Sequence, residues 1–163
     1  MPFDGPILLR AQALDLLKAQ LPTALAALAS VAGIDLPAPD VDTGYLAYLV
    51  APPLLPSKPA VMVRLGHRRR VGDVPAFGGE YEFANEFSVD IILEGTDNEA
   101  LTQQMDLYVL AVTSIFGSET ALDCGQCLVD EVGYDQPQLT NRDSGDYLQD
   151  VPIFFTVNTF ESP

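Results

Sequence analysis

Cysteine and histidine are scarce in this chain, and their scarcity excludes two classes of site. The 163 residues include two cysteines and one histidine. Two cysteines without a recognisable secretion signal argue against a disulfide framework. Zinc needs about four ligands, so a site within one chain would need carboxylates to complete it. We therefore expect no disulfide-stapled scaffold, no metal site and no bound cofactor.

Basic residues are also few, since 8 lysines and arginines stand against 23 acidic residues, a net charge of -15. A free-standing DNA-binding domain needs a basic surface that neutralises phosphates, and this composition is the opposite. Binding to an anionic membrane surface is disfavoured for the same reason. The composition therefore argues against both of these partners.

Targeting and membrane-spanning segments are not evident either. The first residues lack the basic region of a signal peptide, and Asp4 and Asp15 interrupt the apolar positions. No stretch reads as long and apolar enough for a membrane span. We expect a protein that is made and kept in a cytoplasm and has no membrane partner.

The charge that is present is unevenly distributed. Five of the eight basic residues fall between Lys58 and Arg70, whereas Gly72 to Pro163 holds eighteen acidic residues and one basic residue, Arg142. One interpretation is a solvated acidic face. The other is an acidic surface that repels nucleic acid, together with a small basic patch that engages a neighbouring molecule.

The first third of the chain predicts helix and then a long connection. Apolar residues at three-four spacing up to Leu17 or Lys18 predict a helix, and Pro22 starts an Ala- and Leu-rich segment that Gly33 ends. We expect one kinked helix or two consecutive ones. Proline-rich residues 35–59 predict a surface connection with a short strand or helical turn at 45–50. The helical face would comprise Ile7, Leu8, Ala11, Leu14 and Leu17.

A long β-hairpin is predicted in the middle of the chain. Residues 60–65 read as a strand that Gly66 ends, followed by an extended hairpin loop at about 66–80. Residues 81–93 then alternate between two faces with period two, with Asn85 breaking the apolar row. The apolar face comprises Tyr81, Phe83, Phe87, Val89, Ile91 and Leu93.

The second half predicts a helix and two more strands. Thr96 and Glu99 have the spacing of a capping box, and Gly117 ends the helix. Residues 126–132 and 147–160 read as strands, with a polar loop at 133–145 between them. Because strand-to-strand connections dominate, we expect an α+β fold, residues 1–163 in a single domain, with a mainly antiparallel sheet flanked by the N-terminal helix (or two) and one central helix. The helical stripe would comprise Leu101, Met105, Tyr108, Val112 and Ile115.

Cys124 and Cys127 form the motif that most resembles a catalytic site. A dithiol of this spacing acts in redox chemistry when a helix N-terminus lowers a thiol pKa. Here the residues that follow read as a strand, so two incidentally close cysteines explain the motif better. The acidic groups Asp130–Glu131 and 143–150 lack the pattern of a calcium loop. We predict no catalytic, cofactor-binding or metal residues.

His67, Arg68, Arg69 and Arg70 are the predicted contact with another subunit or partner. Arginine forks bind carboxylates in a bidentate manner, and the rest of the chain offers an excess of carboxylates. In a ring of identical subunits, a basic loop on one copy would meet an acidic face on the next. The alternative is a solvated loop tip with a surface histidine.

The order of these elements resembles a known family. An Ala/Leu-rich N-terminal helix precedes a long hairpin, then the helix EGTDNEALTQQMDLYVLAVTSIF, then strands that end in VPIFFTVNTFE. This resembles the tail terminator, or tail completion, proteins of long-tailed bacteriophages. The resemblance spans about residues 12–161 and rests on element order, chain length and the general character of the sequence.

The resemblance implies a structural virion protein with no enzymatic activity. Members of that family form a hexameric ring on the tail tube, stop its polymerisation and present a surface to the head connector, at the neck of the virion. DNA passes through the lumen without specific binding, and an acidic lumen would suit this passage. The alternatives are another head-tail connector, a minor tail protein or a monomeric acidic binding module.

Overall fold

The computed structural model describes residues 5–47, 51–73, 75, 78–118, 122 and 127–161. It has an α+β fold, as predicted, with two α-helices and one six-stranded sheet in the described residues. The elements in chain order are α1 (Gly5–Ala32), β1 (Tyr45–Leu46), a 3-10 turn (Pro52–Leu54), β2 (Ala60–Val71), β3 (Tyr81–Gly95), α2 (Asn98–Phe116), β4 (Cys127–Val132), β5 (Gln138–Asn141) and β6 (Asp146–Glu161).

The sheet is mainly antiparallel and is built on its two longest strands. The strand order is β1-β2-β3-β6-β4, and β5 also pairs with β6. β3 and β6 are in register from Tyr81 opposite Glu161 to Gly95 opposite Tyr147. Among the described strands, only β1 pairs in parallel, with Val61 and Met62 of β2. Beyond these two residues, β2 forms one edge of the sheet, and β4 lies at the other edge.

Helix α1 is one continuous helix that includes Pro22. Gly33 ends it as predicted, with a φ of 67° and a hydrogen bond from its N–H to the Ala29 carbonyl. The predicted face was right at Leu17 and in part at Leu14, which packs against the core, but Leu8 and Ala11 are exposed, because the face that packs is one position further round the helix. The buried residues of this face are Leu9, Ala13, Leu17, Leu21 and Leu25.

Helix α1 also corrects the expectation that no segment is apolar enough to span a membrane. Leu8–Ala32 meets that test by length and composition, with a mean hydropathy of 1.2, and 17% of its most apolar window is buried. Helices that pack on the core of soluble proteins meet the same test. In α1, the side chains of Leu17, Leu21 and Leu25 are all fully buried in the core.

Helix α2 lies where the sequence predicted it, but its N-cap is shifted by one residue. Asp97, not Thr96, caps the helix, and its carboxylate accepts hydrogen bonds from the N–H groups of Glu99 at 3.0 Å and Ala100 at 3.2 Å. All five residues of the predicted stripe are buried. The stripe therefore anchors α2 on the sheet.

Both helices pack on one face of the sheet, where the main core lies. The rings of Phe87 and Phe155 stack at 5.1 Å, and Phe116 of α2 packs against both. The predicted inward row of β6 is fully buried and comprises Val151, Ile153, Phe155 and Val157. We call this side the helix face and the opposite side the outer face.

The predicted surface connection after α1 contributes to the fold. Leu36 and Tyr45 are buried in the main core, and the hydroxyl of Tyr108 donates a hydrogen bond to the Pro37 carbonyl. On the outer face, Leu55 helps to cover a smaller cluster. The described part of this connection is therefore packed against both faces. The smaller cluster comprises Leu55, Ala60, Met62 and Ile92.

Two of the predicted loops contain strand. β2 does not end at Gly66 but continues to Val71, so the hairpin loop begins six residues later than predicted. The predicted loop at 133–145 contains β5, which pairs with the first residues of β6. Both misses have one cause, since polar and charged residues here pair with the next strand along the chain and lack the apolar alternation from which a strand is predicted.

Candidate assembly interface

The four predicted contact residues lie on the extended half of β2, which we call the basic segment (Gly66–Val71). This segment pairs with the first residues of β3, and Arg68, Arg69 and Arg70 lie opposite Asn85, Ala84 and Phe83. The structure therefore places the basic residues on a strand, not on a flexible loop tip. Their side chains alternate between the two faces of the sheet.

A β-bulge decides which arginine points to which face. Leu65 lies opposite Phe87 and Arg68 opposite Asn85, so two residues of β2 face one residue of β3. Gly66 suits this position, since a Cβ atom there would lie 3.1 Å from the Cβ of Glu86. The bulge turns Arg68 and Arg70 to the helix face and Arg69 to the outer face.

Arg68 is held within its own chain. Its guanidinium lies 4.2 Å from the centroid of the Phe83 ring and forms an ion pair with the Glu161 carboxylate at the end of β6. Glu161 also accepts a hydrogen bond from the Thr159 hydroxyl at 3.2 Å. Arg68 therefore fastens β2 to the far end of β6 and is not available to a partner.

Arg70 is held more loosely. It lies 5.0 Å from the Tyr81 ring centroid and pairs with Asp73 at 3.3 Å, where the Asp73 side chain is 99% exposed. Such an exposed pair contributes little to stability. Arg69 and His67 are also exposed, and neither has an ion pair within the described residues. Of the predicted contact residues, Arg69 and His67 are therefore the ones that offer unused charge or hydrogen-bonding capacity.

The other edge of the sheet, at strand β4, carries a feature that the sequence did not lead us to expect. Strand β4 exposes the side chains of Leu128 at 60% and Val129 at 43%, followed by exposed Asp130 and Glu131. Asp130 accepts a hydrogen bond from the Thr156 hydroxyl. The signal in the sequence is the acidic pair Asp130 and Glu131 directly after the apolar residues Leu128 and Val129. The sequence analysis tests this pair only as a cation site.

The outer face also carries a charged cluster around Asp90. Asp90 is 2% exposed, pairs with Arg64 at 2.9 Å and accepts a hydrogen bond from Ser88 at 3.1 Å. Burial, with the nearby carboxylates of Asp90 and Asp135, raises the pKa of Asp150 to about 6, although Arg64 opposes the shift. This part of the outer face therefore changes charge in mildly acidic solution.

A shallow cleft of about 290 Å³ crosses the outer face beside the bulge. Its lining includes Arg64 and His67 of β2, Asp130 of β4 and the partly exposed ring of Phe154. The cleft therefore extends from the basic edge at β2 to the acidic edge at β4. We see a surface with charge at both ends and no convergent set of catalytic groups among the residues the structure describes.

The motif of Cys124 and Cys127 lies only in part within the described residues. Cys127 is buried at the start of β4, and Cys124 lies outside the described residues. Among the residues described, no three His, Cys, Asp or Glu side chains are grouped so that they could hold a metal ion. The acidic groups at 130–131 and 143–150 therefore do not form such a group there.

Comparisons with known proteins return a structural likeness only. No protein-family model matches the chain, and no curated protein matches it. One similar solved structure is a chain from the virion of a native gene transfer agent particle. The two chains share 13% identity at a TM-score of 0.34, over 89% of this chain and 95% of that chain. At these values the likeness carries no argument about function.

Proposed function

We propose that this chain is a structural subunit of a phage-like virion and, more specifically, a tail terminator. In this role it forms a hexameric ring on the last ring of the tail tube, stops tube polymerisation and joins the tail to the head connector. It is not an enzyme, and its place is the neck of the particle after assembly in the host cytoplasm.

The observation that carries the proposal is the order of elements around a long hairpin. The structure has an N-terminal helix, the β2–β3 hairpin, one central helix and then antiparallel strands that end in the long β6. This is the order on which the resemblance to tail terminators rests. The hairpin strands of 12 and 15 residues are much longer than the five or six residues usual in globular sheets.

The surface supports a role in assembly. Several large apolar side chains are exposed at the ends and sides of the sheet, including Phe160 at 56% and Leu128 at 60%. Exposed apolar groups beside unpaired strand edges are aggregation hazards unless a partner covers them. Subunit contacts in a ring would cover them.

The charge suits a conduit for DNA. With a net charge of -15 the chain repels phosphates, so a lumen lined by its acidic residues would let DNA pass without holding it. The proposal therefore places acidic residues, not the basic segment, towards the lumen.

The direct test is arrest of tube growth. Tail-tube protein of the same particle is polymerised with and without the purified chain, and tube lengths are measured by electron microscopy. We expect shorter tubes of defined length, each with extra density at one end. Tubes of unchanged length with bare ends would contradict the proposal and favour the monomeric binding module.

A further inference from the structure

The two outer edges of the sheet lack strand partners within the described residues. β2 pairs with β3 along its length and with β1 only at Val61 and Met62, so its other edge is unpaired from Val63 to Val71. β4 pairs only with β6. Each edge therefore presents backbone N–H and C=O groups that can accept another strand.

These two edges lie at the same level of the sheet. Through the registers of β3 and β6, Cys127 at one end of β4 is level with Arg68, and Val132 at the other end is level with Val63. The six residues of β4 are thus level with Val63 to Arg68, which is most of the unpaired part of β2. A second copy placed beside the first would continue the sheet, with β4 of one copy next to the unpaired edge of β2 of the other.

The exposed charges of the two edges are opposite and lie on the same face. Arg69 lies opposite Ala84 and so points to the outer face, together with exposed His67 nearby. Glu131 lies opposite the outer-face residue Phe154 on β6. Neither Arg69 nor Glu131 has an ion pair in the described part of the chain. One edge is basic and the other acidic.

We propose that the occupant of each edge is a second copy of this chain, with β2 of one copy pairing with β4 of the next. This inference rests on the proposed ring and names the surface that forms it. The contact is heterologous, because different edges meet, and a heterologous contact that closes makes a cyclic ring. The sheets of all copies then join into one continuous wall.

The direction of the pairing follows from the strand order. Three antiparallel steps lead from β2 through β3 and β6 to β4, so β4 runs opposite to β2 in one copy. Rotation about an axis along the strands preserves their direction, so the new ladder is antiparallel. Within one copy Glu131 is level with Arg64, and Arg69 lies further along β2. The strands of a closed wall are tilted, so neighbouring copies are staggered along the strands, and this stagger brings Glu131 towards Arg69.

Charge reversal on each edge tests this contact. Arg69→Glu places like charges on the two edges, and Glu131→Arg does the same from the other side. We expect each variant alone to associate about tenfold more weakly than wild type, because like charges at an interface cost affinity. Lys18→Glu and Asp15→Arg, on the exposed side of α1, change the net charge by the same amounts and serve as controls.

Mixing the two variants distinguishes strand pairing from a general effect of charge. In an even-numbered ring that alternates the variants, every contact again joins opposite charges. We therefore expect the equimolar mixture, and the double variant, to recover the wild-type mass in native mass spectrometry, alone or on tail tubes. Each sample is also checked by circular dichroism, so that a folding defect is separated from a contact defect.

The outcomes separate this inference from the proposed function. If wild type forms a ring and the single variants form it equally well, or if the mixture does not recover, edge pairing is wrong while the ring stands. If wild type remains monomeric alone and with tail tubes, the ring and the pairing both fail. Recovery in the mixture, with unaffected α1 controls, supports the β2–β4 contact.

Discussion

Individual arginines on β2 have different surroundings although they are adjacent in sequence. Arg68 is enclosed by Phe83 and Glu161, whereas Arg69 is exposed without an ion pair in the described residues. The bulge at Gly66 causes the difference, since it decides which side chain faces the helix side. Arg68 is therefore a structural residue, and Arg69 is the proposed contact residue.

Alanine substitution separates these two roles. We expect Arg68→Ala to lower the free energy of unfolding by about 1–2 kcal/mol, since it removes a cation–π contact and leaves Glu161 without its partner. Arg69→Ala, the matched control, should change it by less than about 0.5 kcal/mol. Urea unfolding monitored by circular dichroism measures both, and equal losses would contradict the assignment.

Asp150 gives the protein a pH-dependent stability. Its pKa is raised to about 6 in the folded state from an ordinary 3.8, so the folded state binds its proton more tightly than the unfolded chain does. Ionisation of the Asp150 carboxyl therefore destabilises the folded state progressively as pH rises from about 4 to about 6. Burial beside Asp90 is the main cause.

Asp150→Asn removes this effect. We expect the variant to be more stable than wild type by about 1 kcal/mol at pH 7, a value reduced for partial exposure, and equal to it near pH 4. Thermal unfolding across this pH range measures the difference. A difference that stays constant with pH would show that Asp150 does not titrate in this way.

At the scale of elements, periodic sequence patterns correctly predicted the buried faces of helices and strands where the pattern is regular. The stripe of α2 and the inward row of β6 follow strict periodicities, and the structure buries both. The end of β2 could not be predicted, because its arginines join the sheet through aromatic rings on β3 and through Glu161, 93 residues away from Arg68. Such contacts leave no periodic signal in the sequence.

The N-cap of α2 is a local feature that the sequence reading placed one residue too early. We expect Asp97→Ala to destabilise the protein by about 1 kcal/mol, because the N–H groups of Glu99 and Ala100 lose their acceptor. Thr96→Ala is the control and should be nearly neutral. Unfolding measured for both variants decides which residue caps the helix, and a larger loss at Thr96 would restore the capping-box prediction.

The candidate site was predicted in part. The sequence placed the basic patch at His67 to Arg70 and anticipated acidic partners, but it treated the patch as a loop. Strand pairing through β3 and β6 brings the ends of β2 and β4 to one level, and no local pattern encodes that alignment. The second edge at Glu131 therefore emerged only from the topology.

At the scale of the whole molecule, the proposed subunit has a sheet that is incomplete until neighbouring copies join it. A basic edge, an acidic edge and a net charge of -15 fit a ring that surrounds DNA without binding it. The order of elements and the two unpaired edges both support the proposed ring.

The mass of the purified protein in solution, measured by native mass spectrometry alone and after mixing with tail tubes, tests this claim most directly. The account predicts a hexamer, or a monomer that becomes a ring on tube ends. A protein that stays monomeric at every concentration and ignores the tubes would contradict it.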